Sequence, residues 1–296
     1  HLCRISALMS VSVPASGFIN VNKAAGVSSA REVAVIKKLT GQACGHLGTL
    51  DPMACGVLPV AVGNATRLFD YFLTKRKRYI AEFTFGTDTD TLDTTGTITA
   101  EGGRIPSEEE IRATLPYLTG ELMQVPPNYS AKNVNGARGY ELARKGEVFT
   151  LPPKKVSVGE FTLKGQVSEN VFRFEIECGG GTYIRSLARD LGKLTGTYAV
   201  MNALTRTESG GFKIENSVET RCLTRENIYA SLIPADAVLP HPRKILSAGE
   251  EKLYLNGVPV KCGLAAGQYR IYRADGSFYG VGQSDGTILK SRLKLC

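Results

Sequence analysis

The seven cysteines, Cys3, Cys44, Cys55, Cys178, Cys222, Cys262 and Cys296, are scattered and none stands in a CxxC pair. An odd, dispersed set argues against a disulfide framework and for a reducing compartment. Histidine is scarcer: His1, His46 and His241 lie far apart, so no zinc-ligand spacing is present. No apolar run approaches the roughly 20 residues that cross a bilayer. The glycine triplet Gly179–Gly181 lacks the lysine of a P-loop, which argues against a nucleotide triphosphatase. Asp88, Asp90 and Asp93 suggest a calcium loop only superficially, because Leu92 occupies the fifth position and the required glycine and closing glutamate are missing. There is no internal repeat and no low-complexity linker.

With 296 residues, 43% hydrophobic and 22% charged, the chain can bury a large core in one or two domains. Its 36 lysines and arginines exceed 28 acidic residues, giving a net charge of +8. That excess favours a polyanionic partner, although it serves solubility equally well. Residues 1–16 are expected to form an N-terminal extension, disordered or of upstream or artificial origin before Met9, outside the fold.

Phe18 to Val21 predicts a strand and Lys23 to Val27 a turn. Ser29 and Glu32 form a capping-box pattern for a helix through Val33, Ile36 and Leu39 that stops at Gly41. Tyr79 to Phe85 alternates as a strand, preceded by the basic run Lys75 to Arg78, either a solvated edge or a phosphate contact. Ser107 and Glu110 repeat the capping box before Ile111, Leu115 and Leu118. Pro126 and Pro127 break the chain ahead of a polar segment in which Lys132, Arg138, Arg144 and Lys145 interleave with Tyr129 and Tyr140. Basic groups among aromatics suit nucleic acid, and an exposed helical hairpin has the same look. Val156 to Leu163 and Val171 to Glu177 read as strands. A helix follows with Ile184, Leu187, Leu191 and Leu194 at core spacing, and another is expected from Thr224 to Leu232. From about Ser247 the pattern turns to short strands and glycine turns.

One stretch, Gly45 to Phe72, carries a single acid in a loop bounded by Gly45, Gly48 and Pro52. Proline holds the preceding residue, Asp51, out of the helical region, and the apolar run Val57 to Val62 anchors the loop behind it. Such an acid is either a structural Asx turn or a presented catalytic group.

Five segments in order resemble the TruB-type tRNA pseudouridine-55 synthases. GHLGTLDPMACGVLPVAVGNATRLF is similar to that family's catalytic motif, and GFINVNKAAGVSS to its opening strand and turn. KRYIAEFTFGTDTDTLDTTG resembles its second motif, QVPPNYSAKNVNGARGYELARKG its thumb, and CGGGTYIRSLARDLG its third motif. The resemblance implies an α+β fold on a mixed, largely antiparallel sheet. It assigns residues 17–246 to the catalytic domain, about 124–152 to the thumb and 247–296 to a PUA-like RNA-binding domain. It implies an isomerase that converts uridine 55 in the T-loop of tRNA to pseudouridine, with no cofactor and no metal. It further implies tRNA as partner, a monomer in the cytoplasm away from membranes, and room for a tRNA-folding chaperone role.

Carried over residue by residue, Asp51 matches the catalytic nucleophile and Arg185 the arginine that pairs with it. Tyr79 matches the tyrosine that stacks on the target base, its hydroxyl also a candidate base for the C5 proton. Tyr183 and Leu204 match positions lining the uridine pocket, and His46 a histidine expected to contact RNA or support the loop. Lys23 is expected at the pocket rim, and Lys77, Arg78, Lys132, Arg138 and Arg144 on the RNA. Leu47, Ala24 and the thumb sequence SAKNVNG depart from the family pattern. These departures bear on RNA affinity more than on reaction type. Two rival readings remain: an RNA-binding protein without chemistry, and a carboxylate glycosidase. The latter needs a second acid flanking the bond, and none accompanies Asp51 in a recognisable motif.

Overall fold

The structure is a computed structural model that describes residues 16–73, 75–129, 133–134, 137–138 and 151–295. In chain order its strands are β1 (Gly17–Lys23), β2 (Cys44–His46), β3 (Cys55–Val62), β4 (Lys77–Phe85), β5 (Thr87–Thr89), β6 (Ile98–Glu101) and β7 (Gly120–Gln124). There follow β8 (Asn133–Val134), β9 (Ala137–Arg138), β10 (Lys154–Ser168), β11 (Val171–Cys178), β12 (Ala199–Ser209), β13 (Phe212–Lys213) and β14 (Ile233–Pro234). The last are β15 (Arg243–Ile245), β16 (Val260–Lys261), β17 (Gly267–Tyr272), β18 (Phe278–Ser284) and β19 (Ile288–Lys294). The helices are α1 (Ser29–Thr40), α2 (Phe69–Leu73), α3 (Glu108–Thr114), α4 (Ile184–Leu194) and α5 (Ala248–Leu255).

A large sheet runs β14-β1-β3-β12-β4-β11-β10-β7, with β2 on β3 and β13 on β12. Among the described residues β3 and β12 are its parallel pair and the others are antiparallel. The fold is therefore the expected α+β arrangement on a mixed, largely antiparallel sheet. Alternation sets its inner face: Tyr79, Ala81, Phe83 and Phe85 of β4 and Phe172, Phe174 and Ile176 of β11 are buried against Leu187, Ala188 and Leu191 of α4.

β3 reads as an unbroken apolar run because both its faces are covered. Leu58, Val60 and Val62 enter the main core, while Val57 and Ala61 join a second cluster with Phe18, Phe72 and Phe212. The ring of Phe18 meets Phe72 at 5.2 Å and Phe212 at 5.5 Å, both edge-on. Val281 and Leu295 belong to that second cluster, so it also ties in the small five-stranded sheet β15-β17-β18-β19-β16. The small sheet has its own core of Leu246, Tyr254, Tyr269, Ile271, Tyr279 and Leu289. It begins at Arg243, a little ahead of Ser247.

Local expectations fared unevenly. The capping box at Ser107 and Glu110 is present, and Gly41 closes α1 with φ of 68°. The cap of α1 is Ser28, whose side chain accepts from Arg31 N, and not Ser29. Ser29 instead uses its hydroxyl on Leu50. Thr224 to Leu232 forms turns and a short 3-10 segment at Ile228–Ser231 in place of the expected helix. Leu194, expected in the core, is exposed at the end of α4. Leu47 is buried in the second cluster, which gives this departure from the family pattern a packing role.

Candidate active site

Asp51 sits on a main chain whose carbonyls are each occupied. Arg206 donates to Gly48 O at 3.0 Å and Thr49 O at 3.4 Å, and Ser29 Oγ donates to Leu50 O at 2.8 Å. Ala54 N donates to Asp51 O at 3.0 Å, and Pro52 O accepts from Gly26 N at 2.7 Å and Lys23 Nζ at 3.2 Å. Five consecutive held carbonyls make this loop a rigid mount. Gly56, at φ of +98°, lets the loop's exit press on β12: a Cβ there would lie 2.3 Å from Arg206 O.

Arg185, in the first turn of α4, reaches this loop across 134 residues of sequence. Its Nε meets Asp51 Oδ2 at 2.9 Å and its Nη2 donates to Asp51 Oδ1 at 3.2 Å. The remaining N–H groups donate to Thr91 O at 2.9 Å and Tyr129 O at 3.1 Å. A second carboxylate, Asp93 Oδ2, stands 3.7 Å from Nη1. Asp93 is buried and accepts from Thr91 Oγ1 and from Thr95 N and Oγ1. The guanidinium is 7% exposed and the Asp51 side chain 33%. The acid is thus presented and its partner is locked behind it. The first turn of α4 has no side-chain cap of its own. Gln124 of β7 supplies one from outside, accepting from Tyr183 N at 2.8 Å and donating to Tyr183 O at 3.1 Å.

These groups open on a cavity of about 240 Å³ lined by Asp51, Arg185, Tyr79, Tyr183, Leu204, Met201, Lys77 and Arg206. That is just under the range of about 300–1,000 Å³ for drug-sized ligands, so it suits one small flat group. Tyr79 is 6% exposed, and burial pushes its phenol up to about 12. Lys77 is equally buried; desolvation, with the Arg206 cation adding to it, brings its ammonium down to about 8. Lys77 therefore belongs to the cavity wall.

Other expected site residues lie elsewhere. Lys23, expected at the rim, is fully buried, its Nζ donating to Ala24 O at 2.9 Å, Val27 O at 2.6 Å and Pro52 O. Burial lowers its pKa, and it fastens the opening turn to the Asp51 loop. His46 lies on β2, outside the cavity lining. Its Nδ1 is buried with no hydrogen-bond partner among the described residues, and burial followed by Arg206 lowers its pKa. Arg78 pairs with Glu177 Oε2 at 2.5 Å across β4 and β11, which occupies the expected phosphate-binding group. Lys132 and Arg144 fall outside the described residues, as does the Arg138 side chain. No group of acids, histidines and cysteines fit to hold a metal occurs among the described residues.

Arg206, Asp93 and Gln124 are the participants that sequence reasoning passed over. Only Gln124, set among Leu122, Met123 and Val125, carried a signal, since a lone amide group in a buried strand position needs partners.

Residues 37–184 match the model of the TruB family pseudouridylate synthase (N terminal domain). A protein named tRNA pseudouridine synthase B from Clostridium novyi (strain NT) is 38% identical over 283 residues, 93% of this chain and 98% of that protein. One of the same name from Rhodopseudomonas palustris is 42% identical over 228 residues, 76% of this chain, and the match spans 62% of that longer protein. A chain from an H/ACA RNP bound to a substrate RNA containing 2′-deoxyuridine superposes with a TM-score of 0.69 at 22% identity, over 95% of this chain and 85% of that one. A chain of the archaeal box H/ACA sRNP Nop10–Cbf5 complex gives 0.67 at 22%, over 96% and 87%. At such identities the two structures speak to the fold alone. The acid–arginine pair, the sheet that carries it and the matched sequence agree: the chain belongs to the TruB family of pseudouridylate synthases.

Proposed function

We propose that this protein is a tRNA pseudouridine synthase that isomerises uridine 55 of the T-loop, with Asp51 as nucleophile and the target base flipped out of its stack. The observation that carries the reading is the two-pronged Asp51–Arg185 pair on the wall of a nucleoside-sized cavity. The isomerisation breaks the N1–C1′ bond, turns the base and forms a C5–C1′ bond, so the C5 proton is lost and N1 gains one. An ionised Asp51 supplies the nucleophile, and the Arg185 fork fixes its orientation in a way a lysine does not. Tyr79 offers a face that replaces stacking lost on flipping. As a base it is poorly suited: with its phenol near 12, only about one molecule in 10⁵ is ionised at pH 7.

In this reading the enzyme is a cytoplasmic monomer. The thumb (about 124–152) and a PUA-like module (247–296) grip the tRNA, and a folding-chaperone role accompanies catalysis; family membership supports these points. The test is incubation with unmodified tRNA and mapping of pseudouridine along it. Wild type should modify position 55, and Asp51→Asn should bind tRNA and modify nothing. A protein that binds RNA without chemistry would leave every uridine unchanged in both samples.

A further inference from the structure

The Arg185 guanidinium is held from a second side, by the chain that leaves β7. Gln124 to Tyr129 run along the first two turns of α4 and are laced to it. The Gln124 side chain bonds both Tyr183 N and Tyr183 O. Val125 O accepts from Ser186 Oγ at 2.9 Å and from Arg189 Nη2 at 3.1 Å, and Asp190 Oδ1 steadies the Arg189 guanidinium at 2.8 Å. Tyr183, Ser186 and Arg189 stand three residues apart, a row that climbs one side of a helix. At the far end Tyr129 O accepts from Arg185 Nη2 at 3.1 Å, and the Tyr129 hydroxyl donates to Asp90 Oδ2 at 3.4 Å. The neighbour of Asp90, Thr91, gives its own carbonyl to Arg185 Nη1. This stretch is stiff and deeply set. Gln124 is 2% exposed, Ser186 is fully buried, and Pro126 and Pro127 are buried between the two anchor points. Proline fixes its own φ and keeps the residue before it extended, so a shift of Val125 on α4 carries through to Tyr129 O.

We infer that residues 124–129 form a brace that sets the angle of the Arg185 guanidinium toward Asp51, with Ser186 and Arg189 as its positioning residues. The inference rests on the proposed isomerase reading, in which Arg185 orients the nucleophile. Nη2 carries two N–H groups, and one goes to Asp51 Oδ1 while the other goes to Tyr129 O. A planar guanidinium fixes the directions of those groups relative to each other, so displacing Tyr129 O turns the fork against Asp51. A nucleophile swung off its line of attack loses rate and keeps substrate binding. Neither Ser186 nor Arg189 lines the cavity, so both act through Arg185.

A double-mutant cycle and a proton-exchange measurement test the brace. Ser186→Ala combined with Arg189→Met takes both donors from Val125 O, whereas Arg189→Lys keeps a cation beside it. The combined variant should lower kcat on tRNA by about tenfold or more with KM unchanged, and Arg189→Lys should stay close to wild type. In an Arg185→Lys background the same two substitutions should change kcat no further, because no fork is left for them to turn; such cycles isolate coupling of this kind. The second readout needs no turnover. The Arg185 Nε–H resonance of nitrogen-15-labelled protein, identified by its loss in Arg185→Lys, should exchange slowly with water in wild type and at least about tenfold faster in the combined variant. Amides of β4 and β11 should keep their protection. Nε–H exchange equal to wild type in the folded combined variant overturns the brace, as does a kcat loss equally large in the Arg185→Lys background. Arg189→Met alone supplies both readouts where the combined variant fails to fold. If the exchange quickens as expected and wild type forms no pseudouridine in tRNA, the brace stands and the isomerase reading falls.

Discussion

Ser29 and Leu50 exchange two hydrogen bonds through one hydroxyl, which donates to Leu50 O at 2.8 Å and accepts from Leu50 N at 2.9 Å. The start of α1 is thereby fastened to the residue next to Asp51. Ser29→Ala leaves both main-chain groups buried without a partner, a cost of about 1–3 kcal/mol. The expected outcome is a melting point lower by several degrees and a kcat reduced about tenfold, with KM for tRNA unchanged. Thermal melts and pseudouridine formation at saturating tRNA measure the two effects separately.

Arg185 spends its N–H groups on both Asp51 oxygens and on Thr91 O and Tyr129 O. A single ammonium cannot satisfy that set. Arg185→Lys should keep the circular dichroism spectrum and tRNA binding and lose at least ~100-fold in kcat, a size typical of removing a preorganised electrostatic contact. Near-wild-type turnover in this variant would remove Arg185 from the chemistry.

Lys77 brings a stability cost of known sign. Its folded pKa, about 8, lies below the ordinary lysine value of 10.5, so between those values the folded chain binds fewer protons than the unfolded one. Stability from this group therefore rises with pH through that window, and the penalty is full below pH 8. Lys77→Met should raise the stability of the ligand-free protein at pH 7 by about 2–3 kcal/mol, an advantage that fades toward pH 10. Urea midpoints across this pH range check the trend.

Tyr79 titrates late. With its phenol near 12, no phenolate from this residue should develop below about pH 11, which difference absorbance of wild type against Tyr79→Phe detects. Tyr79→Leu removes the stacking face and should cost about 1–3 kcal/mol in capture of the flipped base. That effect should emerge in kcat/KM for tRNA.

Asp51 and Arg185 were legible in the chain because each stands in a recognisable segment, and their meeting across 134 residues follows from that resemblance. Strands β4 and β11 were legible from alternation alone, since one face of each is buried. The roles of Arg206, Asp93 and Gln124 were not, because each depends on a partner far away in sequence: Gly48, Arg185 and Tyr183 respectively. Ser28 and Ser29 present the same local signal for a helix cap, and the contact with Leu50 decides between them. Leu194 has the right spacing for the core, but α4 ends there and the chain turns at Gly196 before reaching β12. Lys23 looked like a rim cation because sequence shows its charge and not the three carbonyls around it.

The aromatic cluster of Phe18, Phe72 and Phe212 receives Val281 and Leu295 from the small C-terminal sheet. That sheet consequently serves as a lid on the back of β1 and β3, whose opposite face supports the Asp51 loop. Cutting it away exposes greasy strands directly behind the Asp51 loop, so a truncated chain should precipitate before any change in RNA binding could be measured.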